Sequence, residues 1–145
     1  MFTALTENEC LRRLAEHKVG RISVTSRALP VIVPVNYVLT GHTILFRTEP
    51  GGMLANATDN TVVAFEVDDL ADDGRSGWSV LAVGVAQHIE GSREVRALES
   101  ALASAVGEGR DLFVTVTLGQ LTGRAVVDDA PGADIAAVHT EAASA

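Results

Sequence analysis

The chain has 145 residues, of which 47% are hydrophobic and only 4% aromatic, and 11 basic against 19 acidic side chains give a formal charge of −8. That length supports one domain around a single core, and an acidic chain lacks both the counterion-release term of nucleic-acid binding and the attraction to anionic lipid surfaces. No apolar run reaches the roughly 18–20 residues of a membrane span, no basic-then-apolar leader opens the chain, and the lone Cys10 permits no intrachain disulfide, so a cytoplasmic protein without nucleic-acid or membrane partners is expected.

Thr6-Glu7-Asn8-Glu9 has the pattern of a capping box, with Leu5 and Cys10 at the positions of a hydrophobic staple. Cys10, Leu11, Leu14 and Ala15 form the apolar stripe of a first helix, which Gly20 is expected to stop. The period then changes to two, predicting a strand over 20–26. A second strand, 30–39, is apolar on both faces, as in a strand covered on both sides. Pro34 cannot donate to a ladder, so an edge, a bulge or an opening must lie beside it. Thr40-Gly41 marks a hairpin turn into a strand over 42–47. Glu49-Pro50-Gly51-Gly52 leads to a short helical stretch, 53–57, and a strand over 61–67. An acidic loop holding Asp68, Asp69, Asp72 and Asp73 comes next, then a long Val-rich strand, 77–89, with Gly84 as a bend or bulge. Ser92 is placed to cap a third helix to about Val106, followed by two strands, 111–118 and 122–127. The expected organisation is one domain over 1–127 and an Ala-rich tail over 128–145. Six or seven mostly hairpin-connected strands favour a small closed or nearly closed antiparallel barrel, with a β-sandwich as the alternative.

Most catalytic constellations are missing. His17, His42, His88 and His139 lie far apart with no metal-ligand spacing, so no metal site is expected. The residues around Ser79 lack the G-x-S-x-G elbow, and Gly107-Glu108-Gly109 follows a helix and lacks the third glycine of a dinucleotide loop. No side-chain catalyst is predicted. One segment stands apart: Arg47-Thr48 closes a strand, and Gly51-Gly52 leads into a helix start at Met53. A guanidinium, a hydroxyl and free backbone N–H groups converging there is how a phosphate is held. A surface arginine beside a glycine turn is the plainer reading of the same spacing.

Six pieces in order, spanning about residues 5–127, carry a resemblance. They are Gly20-Arg21-Ile22 after a capped helix, Pro30-Val31-Ile32-Val33-Pro34-Val35-Asn36-Tyr37, Phe46-Arg47-Thr48, Val63-Ala64-Phe65-Glu66-Val67-Asp68, Gly77-Trp78-Ser79-Val80 with Gly84, and Thr122-Gly123-Arg124. Together they resemble the pyridoxamine 5′-phosphate oxidase-like family of FMN-binding split-barrel proteins, in particular its small nitroimidazole-resistance-like branch. The resemblance implies a mainly β fold, a six-stranded antiparallel split β-barrel, working as a homodimer with FMN between the subunits. It implies that Val33, Pro34, Val35 and Asn36 lie beside the isoalloxazine and that Arg47, Thr48 and the turn at Gly52 hold the phosphate. It also implies that Trp78 and Ser79 stand near the partner's flavin; a core anchor is the other reading of Trp78.

The departures are specific. A lysine that reaches the phosphate in the family is matched here by Met53, and Lys18 is the only lysine of the chain. Its charge would have to come from Arg47 and another arginine such as Arg21. The basic C-terminal segment of true pyridoxamine phosphate oxidases is absent, so that reaction is not expected. The resemblance implies an FMN-dependent oxidoreductase acting on a small planar molecule. The alternative is a non-catalytic module with weakened FMN binding, or one holding a deazaflavin or haem.

Overall fold

The computed structural model describes residues 2–89, Arg96 and residues 112–126. In chain order the elements are β1 (Phe2–Ala4), α1 (Glu7–Glu16), β2 (Val19–Ser26), β3 (Leu29–Asn36), β4 (Val38–Thr40), β5 (Thr43–Thr48), α2 (Met53–Ala57), β6 (Thr61–Leu70), β7 (Gly77–Ile89) and β8 (Leu112–Val126). The third helix and the tail expected from the sequence lie outside the described residues.

All the strands belong to one antiparallel sheet ordered β3-β2-β6-β7-β8-β5-β4, with β1 added beside β8. The sheet curls into a split barrel whose β3 and β5 walls approach without hydrogen-bonding to each other. Six strands have six residues or more; β1 and β4 have three each. The six-stranded expectation therefore describes the main wall.

The inward positions alternate as the pleat requires. Ile22 and Val24, Ile44 and Phe46, Val63, Phe65 and Val67, Val80 and Ala82, and Val114 and Val116 fill the interior, all nearly inaccessible to water. Helix α1 closes one side, capped as predicted: Thr6 Oγ1 accepts from Glu9 N–H at 3.2 Å, and Glu9 accepts from Thr6 N–H at 2.7 Å. Cys10 and Leu14 are its buried residues. Burial first, and the neighbouring Glu9 second, push the Cys10 thiol above its usual pKa, which keeps it an inert packing residue.

Several boundaries differ from the sequence expectation. Helix α1 ends at Glu16, and Gly20 lies inside β2, where an added Cβ would run into the Phe65 ring. Close packing, not helix termination, is what Gly20 serves. Tyr37 breaks the long apolar strand into β3 and β4: its hydroxyl donates to Leu14 carbonyl at 2.6 Å and its N–H to Lys18 carbonyl at 3.0 Å. Its ring meets Phe65 edge-on at 4.9 Å, so Tyr37 is a packing residue. Asp68 and Asp69 end β6 instead of opening the loop. The last two expected strands are one, β8, running opposite β7 through a register shift at Val83/Gly84. The β2–β3 hairpin turns on Arg27 (φ 52°) and Ala28 (φ 64°). Left-handed backbone at residues with a Cβ costs about 1–2 kcal/mol each.

Candidate functional site

The open seam of the barrel is a consequence of the strand order. Among the described residues strand β3 is hydrogen-bonded only to β2, which leaves its other edge without a strand partner there, and Pro34 sits at an edge where a missing N–H is tolerated. Strand β5 pairs with β8 on one side, but with β4 on the other only as far as Val38↔Leu45. Phe46–Thr48 therefore keep a free edge facing β3. After β5 the chain turns sharply at Gly51 (φ +76°), a backbone that favours glycine, and enters α2. Buried Ala55 and Ala57 pin α2 to the core. Thr58 Oγ1 donates to Leu54 carbonyl at 2.6 Å and Thr61 Oγ1 to Ala57 carbonyl at 2.7 Å, fixing its end.

Between β3, β5 and α2 lies a cleft of about 590 Å³. Val33, Pro34, Val35 and Asn36 line one wall, Arg47, Thr48 and Glu49 the other, and Gly52, Met53 and Leu54 the base. Eight of the ten residues predicted from the sequence meet there: Val33, Pro34, Val35, Asn36, Arg47, Thr48, Gly52 and Met53. Residues distant in the chain are brought together by the curl of the sheet. Glu49 and Leu54 join them; both flank the predicted segment, but neither type signals a ligand by itself.

The cleft has an apolar side and a charged end. Arg47 Nε is buried without a hydrogen-bond partner among the described residues, and its guanidinium lies 5.3 Å from the centre of the Phe113 ring. A buried N–H donor left unpaired is costly unless a ligand satisfies it. The backbone contribution is smaller than the sequence suggests. Helix α2 has only five residues, and Gly52 N–H is already directed to Glu49 carbonyl at 3.2 Å. The anion-binding capacity therefore rests on Arg47 and the Thr48 hydroxyl. Apolar walls, one free strand edge and one arginine form a donor set suited to a planar heterocycle carrying a phosphate.

Trp78 and Ser79 do not line this cleft. Trp78 is buried in the core cluster at the other end of the sheet, with Arg13 stacked over its ring at 4.9 Å and His17 edge-on at 4.8 Å. Within this chain Trp78 anchors α1, the packing reading of that residue; Ser79 is buried next to it.

Arg21, expected as a second cation for the cleft, is engaged elsewhere. On the outer face of the sheet it contacts Asp68 Oδ2 at 3.1 Å and Glu66 Oε2 at 3.4 Å. Burial, reinforced by Asp68, lifts the Glu66 carboxyl to about 7, with Arg21 pulling the other way. The folded state thus holds this proton more tightly than the unfolded chain does. The stabilisation is complete below the ordinary carboxylate range near pH 4.5 and is lost as pH rises through 7. Because the side chain keeps 27% exposure, about 1–2 kcal/mol is expected. Glu66→Gln should accordingly raise the melting temperature at pH 8 and leave it nearly unchanged at pH 4.5; equal shifts at both pH values would rule out this role.

Solved structures share this architecture. A FAD binding protein from Mycobacterium smegmatis superposes with a TM-score of 0.67 at 32% identity, covering 88% of this chain and 100% of that one. A Corynebacterium diphtheriae protein of unknown function does so with a TM-score of 0.69 at 30% identity, covering 87% and 98%. An uncharacterized protein of Mycobacterium tuberculosis is 32% identical over 130 residues, 86% of each chain. The model of the pyridoxamine 5′-phosphate oxidase family matches residues 6–126, nearly the whole described fold and all of the cleft, and the chain belongs to that family.

Proposed function

We propose that the seam cleft binds a flavin nucleotide through its FMN portion, and that the protein is a flavin-dependent oxidoreductase acting on a small planar substrate. The observation that carries this reading is the apolar free edge of β3 facing Arg47 and Thr48 across a gap of about 590 Å³. Val33 and Val35 offer apolar contact to a flat ring, and the unpaired edge of β3 offers backbone groups to its heteroatoms. Arg47 and Thr48 hold the phosphate. The M. smegmatis relative, described as FAD binding, supports a flavin. When bound, the flavin supplies the hydride and electron transfer; the protein supplies position, exclusion of water and charge. Haem is less well served, since among the described residues Met53 is the only side chain lining the cleft of a kind that ligates its iron axially.

A homodimer belongs to the same proposal. The outer face of β3, β2, β6 and β7 carries Ile32, Val62, Val83 and Val85, with Ile32 67% and Val62 69% exposed. A second copy is the natural cover for such aliphatic side chains on a sheet face, and the buried Cys10 suits a reducing, cytoplasmic setting. Met53, which leaves Arg47 as the one cation among the described residues of the cleft, favours a second reading in which flavin binds weakly and the protein is a non-catalytic module. Titrating the purified protein with FMN and following its visible absorption and fluorescence decides between them. Tight, saturable quenching at one flavin per chain is expected; no spectral change up to millimolar FMN would sink the flavin reading.

A further inference from the structure

The outer face of the β3-β2-β6-β7 wall is largely aliphatic, with its charges gathered at Arg21, Glu66 and Asp68. The register places two rows level across these four strands: Pro34, Arg21, Glu66 and Leu81 in one, Ile32, Ser23, Ala64 and Val83 in the other. A hollow of about 220 Å³ lies between them, lined by Arg21, Ser23, Ile32, Ala64, Glu66 and Leu81. The two sides of the β2–β6 boundary complement each other. A two-fold axis along that boundary would set Arg21 of one copy over Glu66 of the second, Pro34 over Leu81, Ile32 over Val83 and Ser23 over Ala64. Opposite charges and aliphatic side chains would then meet twice each, which is the self-complementarity an isologous contact requires.

The centre of such a contact has too few cations. Arg21 touches Asp68 Oδ2 at 3.1 Å and Glu66 Oε2 at 3.4 Å, while Glu66 Oε1 is buried with no hydrogen-bond partner among the described residues. Joining two copies buries two arginines with four carboxylates, and the two uncompensated negative charges are costly to take out of water. One proton on each Glu66 makes the centre neutral, and a hydrogen bond to Asp68 favours that protonated form. Among the described residues Arg21 from β2 and Asp68 from β6 are the charged groups acting on Glu66. Strand β7 sets the uncharged Leu81 and Ser79 beside this pair of carboxyls, and Pro34 of β3 lies beyond Arg21. On β8, Arg124 is level with Ser79 and donates to Gly123 carbonyl at 3.0 Å. In the single chain burial and Asp68 already hold the Glu66 carboxyl at about 7 against the pull of Arg21. A contact that removes more water raises it further.

We propose that two copies associate through this face with uptake of one proton at each Arg21–Glu66–Asp68 cluster, which makes the cluster a proton-operated lock on the dimer. The inference rests on the homodimer reading of this face; it adds the axis, the pairing of Arg21 with the second copy's Glu66, and a dependence on pH. Well below pH 7 free and joined chains both carry the proton, and the affinity is level. As pH rises through 7 the free chains release it first, so the dimer weakens, by up to about a hundredfold per pH unit for two protons.

Sedimentation equilibrium of the full chain at several concentrations, from pH 6 to pH 9 at constant ionic strength, tests this. The wild-type dissociation constant should rise at least about tenfold between pH 7 and pH 9. Glu66→Gln is neutral throughout and should dimerise at pH 9 as tightly as wild type does at pH 6. Asp68→Asn leaves two arginines with two glutamates, a centre that is neutral without added protons, so its affinity should vary by less than about threefold. Ile32→Lys, at an exposed position, should give monomers at every pH, with a thermal melt checking that the fold is intact. If the wild-type dimer is too tight to dissociate, the series is read in the Ile32→Ala background, which weakens the same contact. A dimer whose affinity ignores pH, or weakens equally in Glu66→Gln, overturns the proton lock and leaves the homodimer standing. A dimer indifferent to Ile32→Lys uses another face, and the inference falls with this one. Monomers throughout overturn both, and leave the face to a different partner.

Discussion

Arg47→Gln should weaken FMN binding by roughly 30- to 100-fold while changing riboflavin binding little. Hydrogen bonds to a charged group contribute about 1.5–3 kcal/mol each, and the guanidinium fork matches a phosphate in two contacts. Among the described residues Arg47 is the only cation lining the seam cleft, so no other described lining residue replaces it. Its Nε is buried and unpaired among the described residues, so that N–H enters the complex without first giving up a hydrogen bond. Riboflavin shares the ring and the ribityl chain but has no phosphate; it reports any general damage to the cleft. Removing the guanidinium also deletes its contact with Phe113, 5.3 Å away, a loss of about 0.5–1 kcal/mol in stability that a thermal melt will register. Arg47→Lys keeps the charge and loses the fork, so an intermediate affinity is expected. A parallel loss for riboflavin and FMN would mean that Arg47 shapes the walls instead of holding phosphate. An unchanged FMN affinity would put the phosphate elsewhere.

Much of this site was legible in the chain because its parts are short and local. Arg47-Thr48 and Gly51-Gly52-Met53 stand within seven residues, and the two-sided apolar pattern around Pro34 already demanded an edge or an opening. The resemblance then set 33–36 opposite 47–53, which periodicity cannot do. What stayed hidden was non-local. Gly119-Gln120 reads as a turn between two strands, but the register shift at Val83/Gly84 lets β8 continue through it. Gly20 reads as a helix stop because nothing local shows the Phe65 ring lying against it. Arg27 carries no local signal of a site, since only the folded hairpin brings it to a cleft it shares with α2. Arg21 was the reverse case: a plausible cation by type, until β6 placed Asp68 and Glu66 beside it.

The same register shift makes Gly84 the position where one added methyl should do the most damage. A Cβ at Gly84 would be driven into the backbone carbonyl of Thr117, with Val116 Cγ1 at 3.3 Å behind it. Neither strand can yield, because β7 is paired on both sides, with β6 and β8, and β8 at Val116 and Thr117 is also paired with β5. Gly84→Ala is therefore expected to cost about 3 kcal/mol or more, lowering the melting temperature by about 6–12 °C in a domain of this size. Gly41→Ala is the control: Gly41 has φ +61° but nothing within 4 Å of an added Cβ. Only the left-handed backbone is penalised there, at about 1–2 kcal/mol. The damage at Gly84 should also reach the site. Strand β8 sets the position of β5 through Phe113↔Arg47 and Leu112↔Thr48, so a slip in the β7–β8 register displaces the two residues assigned to the phosphate. Flavin affinity and melting temperature should fall together in Gly84→Ala, whereas Gly41→Ala should lower the melting temperature alone. A Gly84→Ala protein that melts no lower than Gly41→Ala would show that the strands absorb the methyl, and that the register shift is not what fixes the seam.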